Sequence, residues 1–179
     1  LAGARTDLDG AIADFDEAVR LAPRNADIYR YRARDLGRRG RWERALADYD
    51  RAIRLDPNNP ALFHDRGLAL QQQGELDGAL IDLDRAVRMS FSDARLYSDR
   101  GAVWLVKGRY DRALADFNQA LEFYTKALEV GPRQDMKPQI ELRIVRCHQH
   151  LHGGRGCPAL HESRRGRGSA GPVHQHRGG

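Results

Sequence analysis

The chain has 179 residues, of which 41% are hydrophobic, and a formal net charge of +5. This length suits about one domain with a buried core, and the sequence contains no apolar run long enough to cross a membrane. Two cysteines are too few for a disulfide framework, so the redox compartment stays open, with the cytoplasm favoured.

One pattern returns along the chain at a step of 34 residues, beginning with its second half near the N-terminus. Alanines recur at two of its positions, at Ala11, Ala45, Ala79 and Ala113 and again at Ala18, Ala52, Ala86 and Ala120. A large apolar side chain lies between the two alanines of each copy, at Phe15, Tyr49, Leu83 and Phe117. Offsets of three and four residues place these side chains on one face of a helix. Each copy is therefore predicted to contain a helix with a close-packing face.

A preceding helix completes each full copy. Its aromatic residue is followed four positions later by a small one, in the pairs Tyr29 and Ala33, Phe63 and Gly67, and Tyr97 and Gly101. A glycine, such as Gly40, supplies the permissive residue that the turn between the helices needs. Pro23 and Pro57 end the second helix, which they cannot continue. One such helix pair cannot bury its own apolar face, so the copies are expected to stack.

The 34-residue step and this order of aromatic, small and proline positions resemble the tetratricopeptide repeat. The resemblance implies an all-α fold, a right-handed solenoid of antiparallel helix pairs with a concave inner wall. Its units are a partial repeat at 1–25, which supplies only a second helix, and whole repeats at 26–59, 60–93 and 94–132. Phe91 replaces the closing proline, so the junction there is expected to bend differently. A seven-residue echo of the segment at Phe117 should lengthen the last second helix by about 10 Å.

The C-terminal part departs from the repeat. Residues 133–152 are predicted to form a capping helix, which begins at Asp135 and ends before Gly153. Its inward stripe is expected to consist of Ile140, Ile144, Val145 and Leu151. Residues 153–179 carry eight Gly, five Arg and one acid, a net +4 that leaves +1 for the rest of the chain. This composition predicts a disordered Arg/Gly/His-rich tail.

The sequence shows no catalytic motif, no nucleotide-binding loop and no evident strand, which argues against an enzyme and gives no cofactor. The resemblance instead implies a non-catalytic scaffold that binds a peptide or partner segment in the groove lined by the first helices. The implied groove positions are Arg30, Arg34, Arg38, His64, Leu68, Gln71, Arg95, Ser98 and Ala102. This wall is basic at one end and apolar at the other, which fits an acidic-then-apolar segment.

Two sets of charged residues qualify this expectation. Some members of the family clamp chain-terminal carboxylates with Lys and Asn, whereas Asp65 and Asp99 would repel a carboxylate if they face the groove. Three arginines and four aspartates also recur at 34 and predict a ladder of ion pairs between helices; they are Arg32, Arg66, Arg100, Asp14, Asp48, Asp82 and Asp116. Carboxylates two apart, such as Asp48 and Asp50, diverge on a helix, so a general acid–base role is not favoured.

Three further interpretations stay open. Cys147, His148, His152 and Cys157 form a candidate metal set, because two histidines four apart share a helix face, although their spacing matches no closed zinc motif. The basic tail could contact nucleic-acid phosphates, but it lacks interleaved aromatic residues, so nucleic acid is not favoured as a partner. The face of the first helix that carries Ala11, Phe15 and Ala18 is expected to be exposed, which would permit self-association.

Overall fold

A computed structural model of the chain describes residues 2–131, together with positions 138, 141–143, 145 and 149–150. Residues 2–131 form seven helices: α1 Ala2–Leu21, α2 Ala26–Arg38, α3 Trp42–Leu55, α4 Pro60–Gln72, α5 Leu76–Met89, α6 Ala94–Val106 and α7 Tyr110–Glu129. Helices α2 and α3, α4 and α5, and α6 and α7 pack as antiparallel pairs that stack on one another. These ranges contain no strand, and the predicted all-α class is confirmed.

A glycine sets the turn inside each pair. Gly40, Gly74 and Gly108 have φ values of 72°, 80° and 70°, a left-handed conformation that is costly for a residue with a Cβ atom. The residue after the glycine donates its backbone N–H to a carbonyl five residues earlier, as Arg41 does to Leu36 at 2.9 Å. This cap satisfies carbonyl groups at the helix end and lets the chain reverse within three residues.

A polar side chain starts each first helix. Asn25, Asn59 and Asp93 accept the backbone N–H two residues further on, at 3.0, 3.1 and 3.0 Å. These N-caps satisfy one of the four amides that a helix leaves unpaired at its start. Each junction between helix pairs therefore leads into the next helix through the same kind of N-cap hydrogen bond, whichever residue precedes the capping residue.

The junction at Phe91 does not bend differently, so that prediction is wrong. Ser90, just before Phe91, has φ −140° and ψ 71°, and Asp56, just before Pro57, has φ −138° and ψ 79°. The hydroxyl of Tyr97 donates to the carbonyl of Phe91 at 2.9 Å. The cap at Asp93 and this hydrogen bond hold the turn without the proline ring. The side chain of Phe91 is left 71% exposed.

Small residues bring the two helices of a pair close together. In α3 and α5 the alanines of the predicted packing face, Ala45, Ala52, Ala79 and Ala86, are fully buried. A Cβ atom added at Gly67 would lie 3.0 Å from Cγ of Leu83, and one added at Gly101 would lie 3.1 Å from Cε1 of Phe117. The large side chain of the second helix therefore fills the space that the glycine leaves.

The first helices form the inner row of the stack. Helix α2 packs against α4 and α4 against α6, whereas the described second helices α3 and α5 make at most a marginal contact. Since elements on the inside of a curve lie closer together than those on the outside, α2, α4 and α6 line the concave face. Any site on this face is built mainly from their side chains.

An arginine in each first helix joins three helices. Arg66 of α4 donates two hydrogen bonds of 2.7 Å to Asp82 of α5 and one of 2.5 Å to Asp50 of α3. The other two ladder arginines repeat this arrangement, which gives the sets Arg32 with Asp48 and Asp16, and Arg100 with Asp116 and Asp84. The ladder of ion pairs is thus observed within the repeats and between them.

The prediction is wrong for one aspartate, which does not take part in the ladder of ion pairs between the described residues. Asp14 is exposed on α1, and the carboxylate that reaches Arg32 from α1 is that of Asp16. Asp16 is the counterpart of Asp50, which bonds to the arginine of the following repeat. Asp48 and Asp50 bond to different arginines, which supports their structural interpretation over a catalytic one.

Helix α7 has 20 residues against 14 in α5, and six extra residues extend it by about 9 Å. The described part of 133–152 contacts this helix. Arg143 Nη1 donates to the hydroxyl of Tyr124 at 3.4 Å, and the ring of His150 stacks on Phe117 at 4.9 Å between centroids. Val145 is 50% exposed, so it does not belong to a buried stripe as predicted. It lies two residues after Arg143, and residues two apart on a helix do not share a face. The other three residues of the predicted stripe lie outside the described side chains.

Candidate functional site

A cavity of about 400 Å³ opens on the concave side between α2 and α4. Its lining combines a cationic rim with an apolar wall, and consists of Ala33, Arg34, Gly37, Arg38, Trp42, Tyr49, Asp65, Leu68, Ala69 and Gln72. Its size falls within the usual range of small-ligand and side-chain pockets.

Two aromatic side chains of α3 form the floor of this cavity. The indole of Trp42 lies against Gly37, where an added Cβ atom would be 2.9 Å from Cζ3 of the ring. Tyr49 is 3% exposed, and its burial, together with the nearby charge of Asp65, raises the pKa of its hydroxyl. The phenol therefore stays neutral at physiological pH. An incoming group meets an apolar surface here.

Two exposed arginines form the rim on the α2 side. Arg38 bonds to Asp35 of its own helix at 3.1 Å. Arg34 lies 5.3 Å from the ring centroid of Tyr31, and among the described residues it forms no ion pair. A guanidinium in this position can bind a carboxylate in two parallel hydrogen bonds.

The aspartates of the inner row are paired across it. Arg30 Nε donates to Asp65 at 2.6 Å, and His64 Nε2 lies 2.7 Å from Asp99. Burial alone would lower the pKa of Arg30, but the hydrogen bond and charge of Asp65 outweigh it and raise that pKa. Asp65 does line the cavity, yet the charge of Arg30 offsets its own. These two pairs tie α2 to α4 and α4 to α6.

The predicted groove residues separate into three groups. Arg34, Arg38 and Leu68 come together in the cavity. Arg30 and His64 are occupied by the pairs described above. The remaining four lie apart from the cavity: Gln71 is half-buried, Arg95 bonds to Asp93, Ser98 is buried, and Ala102 packs against the core between α6 and α7.

Sequence reasoning missed the floor of the cavity. Trp42 and Tyr49 belong to the second helix. A large apolar residue recurs every 34 positions at both sites, which indicates packing inside the repeat rather than contact with a ligand; the Trp42 set is Leu8, Trp42, Leu76 and Tyr110. Gly37 is the one residue in the sequence that hints at the cavity. It lies one turn after Ala33, so two successive turns of α2 carry only small side chains on the face that the cavity occupies. Gln72 replaces Gln71 because it lies one turn after Leu68 on the same helix face.

The candidate metal set Cys147, His148, His152 and Cys157 lies outside the described side chains. Within the part of the chain that the structure describes, no group of three or more His, Cys, Asp or Glu residues could hold a metal ion. The tail 153–179 also lies outside it. No described helix combines the length and apolarity needed to span a bilayer.

Comparison with protein families gives two matches, both described as tetratricopeptide repeat. One covers residues 36–91, and the other covers residues 1–60 and 64–127. The second match takes in well over half of the sequence. The chain therefore belongs to the tetratricopeptide repeat family, as the sequence predicts, and a comparison with curated proteins gives no match.

Several solved structures share the fold. A crystal structure of MamA is 18% identical, with a TM-score of 0.60, and the alignment covers 84% of this chain and 92% of that one. The TPR2B domain of yeast Sti1, in a complex with pHsp70, is 17% identical with a TM-score of 0.57, covering 69% and 96%. The second TPR of Spaghetti (RPAP3), bound to the HSP90 peptide SRMEEVD, is 25% identical with a TM-score of 0.53, covering 55% and 92%.

Proposed function

We propose that this chain is a non-catalytic scaffold that binds a segment of a partner protein on its concave face. The observation that carries the proposal is the cavity between α2 and α4, which presents an apolar floor and unpaired positive charge on the inner row. Tetratricopeptide repeat domains mediate protein–protein interactions, and two structural neighbours carry pHsp70 or an HSP90 peptide. A preformed surface also spares the scaffold most of the ordering cost of binding.

Peptides selected on the chain from a random display library test this proposal. Their affinities are measured by calorimetry for the unaltered chain, for Leu68→Glu on the concave face, and for Arg51→Glu on α3. Arg51 is exposed, and its replacement lowers the net charge by two against one for Leu68→Glu, so it is a more than sufficient control for the change in charge. Leu68→Glu should weaken binding at least about tenfold, since it places a charge in an apolar cavity, and Arg51→Glu should leave it unchanged. Equal affinities for all three chains would refute concave-face binding.

A second candidate function, self-association, has an observation of its own. Ala11, Phe15 and Ala18 of α1 are only half-buried, whereas their counterparts Ala45, Tyr49 and Ala52 are buried. A second copy could cover this face of α1. Light scattering over a hundredfold range of concentration tests the idea with the Phe15→Glu variant. A size that rises with concentration in the unaltered chain and not in the variant supports it; a constant size rejects it.

A further inference from the structure

We infer that the cavity between α2 and α4 takes one bulky apolar side chain of the partner segment, while Arg34 binds the carboxylate of an Asp or Glu next to it in sequence. The inference rests on the proposed function and specifies its ligand. It follows from the charge on the cavity rim, the chemistry of the floor and the position of Asp65.

The charges around the cavity do not cancel. Asp65 is paired with Arg30 at 2.6 Å, and Asp35 is paired with Arg38 at 3.1 Å. Arg34 is left as a cation that no carboxylate among the described residues neutralises. Its guanidinium also lies 5.3 Å from the ring centroid of Tyr31, a cation–π contact that leaves its positive charge in place. One carboxylate supplied by a ligand would neutralise this remaining positive charge.

The floor selects the neighbouring residue. Trp42, Tyr49 and Leu68 present aromatic and aliphatic surface, and Ala33 and Ala69 keep the two helices from filling the space themselves. An aromatic or large aliphatic side chain would bury most of its surface there, with favourable ring contacts. A small or polar side chain would leave the apolar floor of the cavity in contact with water.

The position of Asp65 decides where the acid lies. A carboxylate inside the cavity would lose its water against the apolar floor, and the oxygens of Asp65 on the α4 side could offer it no hydrogen-bond donor. The acid must therefore stay at the rim on the α2 side, beside Arg34. A side chain reaching out from a passing segment meets this condition better than a carboxylate at the end of a chain, which would have to enter together with the apolar residue.

Short blocked peptides test this ligand directly. Trp42 and Trp104 are the two tryptophans of the chain, so in a Trp104→Phe background the emission of Trp42 reports occupation of the cavity. The probes are acetyl-Ser-Phe-Glu-Ser-amide, its Phe-Gln and Ala-Glu analogues, and acetyl-Ser-Ser-Phe with a free carboxylate. Calorimetry on the unaltered chain repeats the titrations and carries the test if the background variant is unstable.

The Phe-Glu peptide should bind about three- to fivefold more tightly than the Phe-Gln peptide, as expected for one exposed ion pair. Arg34→Gln should abolish this difference while keeping the preference for Phe over Ala, and the exposed replacement Arg51→Gln should change neither. Equal binding of Phe-Glu and Phe-Gln, tighter binding of the peptide with the free carboxylate, or no response to any probe up to about 10 mM would overturn the inference.

The experiments distinguish a wrong ligand assignment from a wrong proposed function. Library-selected peptides that lose affinity with Leu68→Glu would uphold concave-face binding even if the acidic preference is absent. If the selected peptides ignore Leu68→Glu, the concave face itself is the wrong site, whatever the short probes do.

Discussion

The indole of Trp42 lies on the backbone of Gly37, where an added Cβ atom would be 2.9 Å from the ring. Gly37→Ala should therefore displace Trp42 and destabilise the fold by about 1–3 kcal/mol. Urea unfolding followed by circular dichroism measures the loss, and the emission of Trp42 should shift in the folded state. Gly10→Ala, in α1 where an added Cβ meets nothing within 4 Å, should instead stabilise by about 0.5–1 kcal/mol. Destabilisation by both replacements would show that contact with Trp42 is not the cause.

The two hydrogen bonds between Arg66 and Asp82 give a second prediction. The Asp82 side chain is 4% exposed, so Arg66→Met would leave a buried carboxylate without its main partner. The expected cost is about 3 kcal/mol in the free energy of unfolding. Arg51→Met removes an exposed arginine of α3 and should have no measurable effect. Restoration of most of the lost stability by a second change, Asp82→Leu, would identify the unpaired charge as the cause, whereas equal instability of the double variant would contradict it.

Ala79 tests whether close approach of the helices holds the stack together. It is fully buried, and its carbonyl would lie 3.2 Å from a Cβ atom at Gly67. Ala79→Leu should force α4 and α5 apart and lower stability by about 2 kcal/mol or more. Ala47→Leu, on the exposed side of α3, adds the same atoms without this contact. Thermal melts of the two variants should differ by several degrees, and matching melts would count against the packing described here.

Asp93 makes part of the stability depend on pH. Burial alone would raise the pKa of Asp93, but hydrogen bonds and charge from Arg95 outweigh it, so the pKa lies below the ordinary value of 3.8. A lowered pKa in the folded state means that the charge stabilises above the ordinary value, and that this contribution is lost as the pH falls through the folded-state value. Asp93→Asn keeps the capping oxygen, as Asn59 does in α4.

The expected difference in unfolding free energy between the unaltered chain and Asp93→Asn is about 1 kcal/mol near pH 7. It should shrink as the pH falls below the ordinary carboxyl value of 3.8 and vanish once the folded-state carboxylate has taken up its proton. Urea titrations at several pH values measure it. A difference that stays constant from pH 7 to about 2.5 would mean that the charge of Asp93 does not contribute.

The helices and their stacking could be predicted because they depend on side-chain size at a fixed step. Ala45, Tyr49 and Ala52 show their role by recurring, and the glycine turns follow from conformational freedom alone. The prediction of a different bend at Phe91 was wrong because it considered only the missing proline. The cap at Asp93 and the hydrogen bond of Tyr97, which also hold this turn, could not be inferred from the repeat pattern.

The candidate site was less predictable because it depends on pairing between repeats. Arg30 and His64 occupy inner-face positions, but their partners Asp65 and Asp99 lie 35 residues on, in the next repeat. Only the packed structure shows that Arg30 and His64 are engaged by aspartates and that Arg34 is not. The floor formed by Trp42 and Tyr49 could not be predicted because a large apolar residue gives the same sequence pattern whether it packs only in the core or also lines a cavity.

Each ladder arginine bonds to an aspartate 16 residues before it and to another 16 residues after it. Removal of residues 60–93 would therefore bring Arg100 into the place of Arg66, between Asp50 and Asp116, with every bond still available. Insertion of a further copy of 34 residues would do the same. Such an array can change its length by gene duplication or deletion without redesigning its joints, so the reach of the concave face is open to adjustment in steps of one repeat.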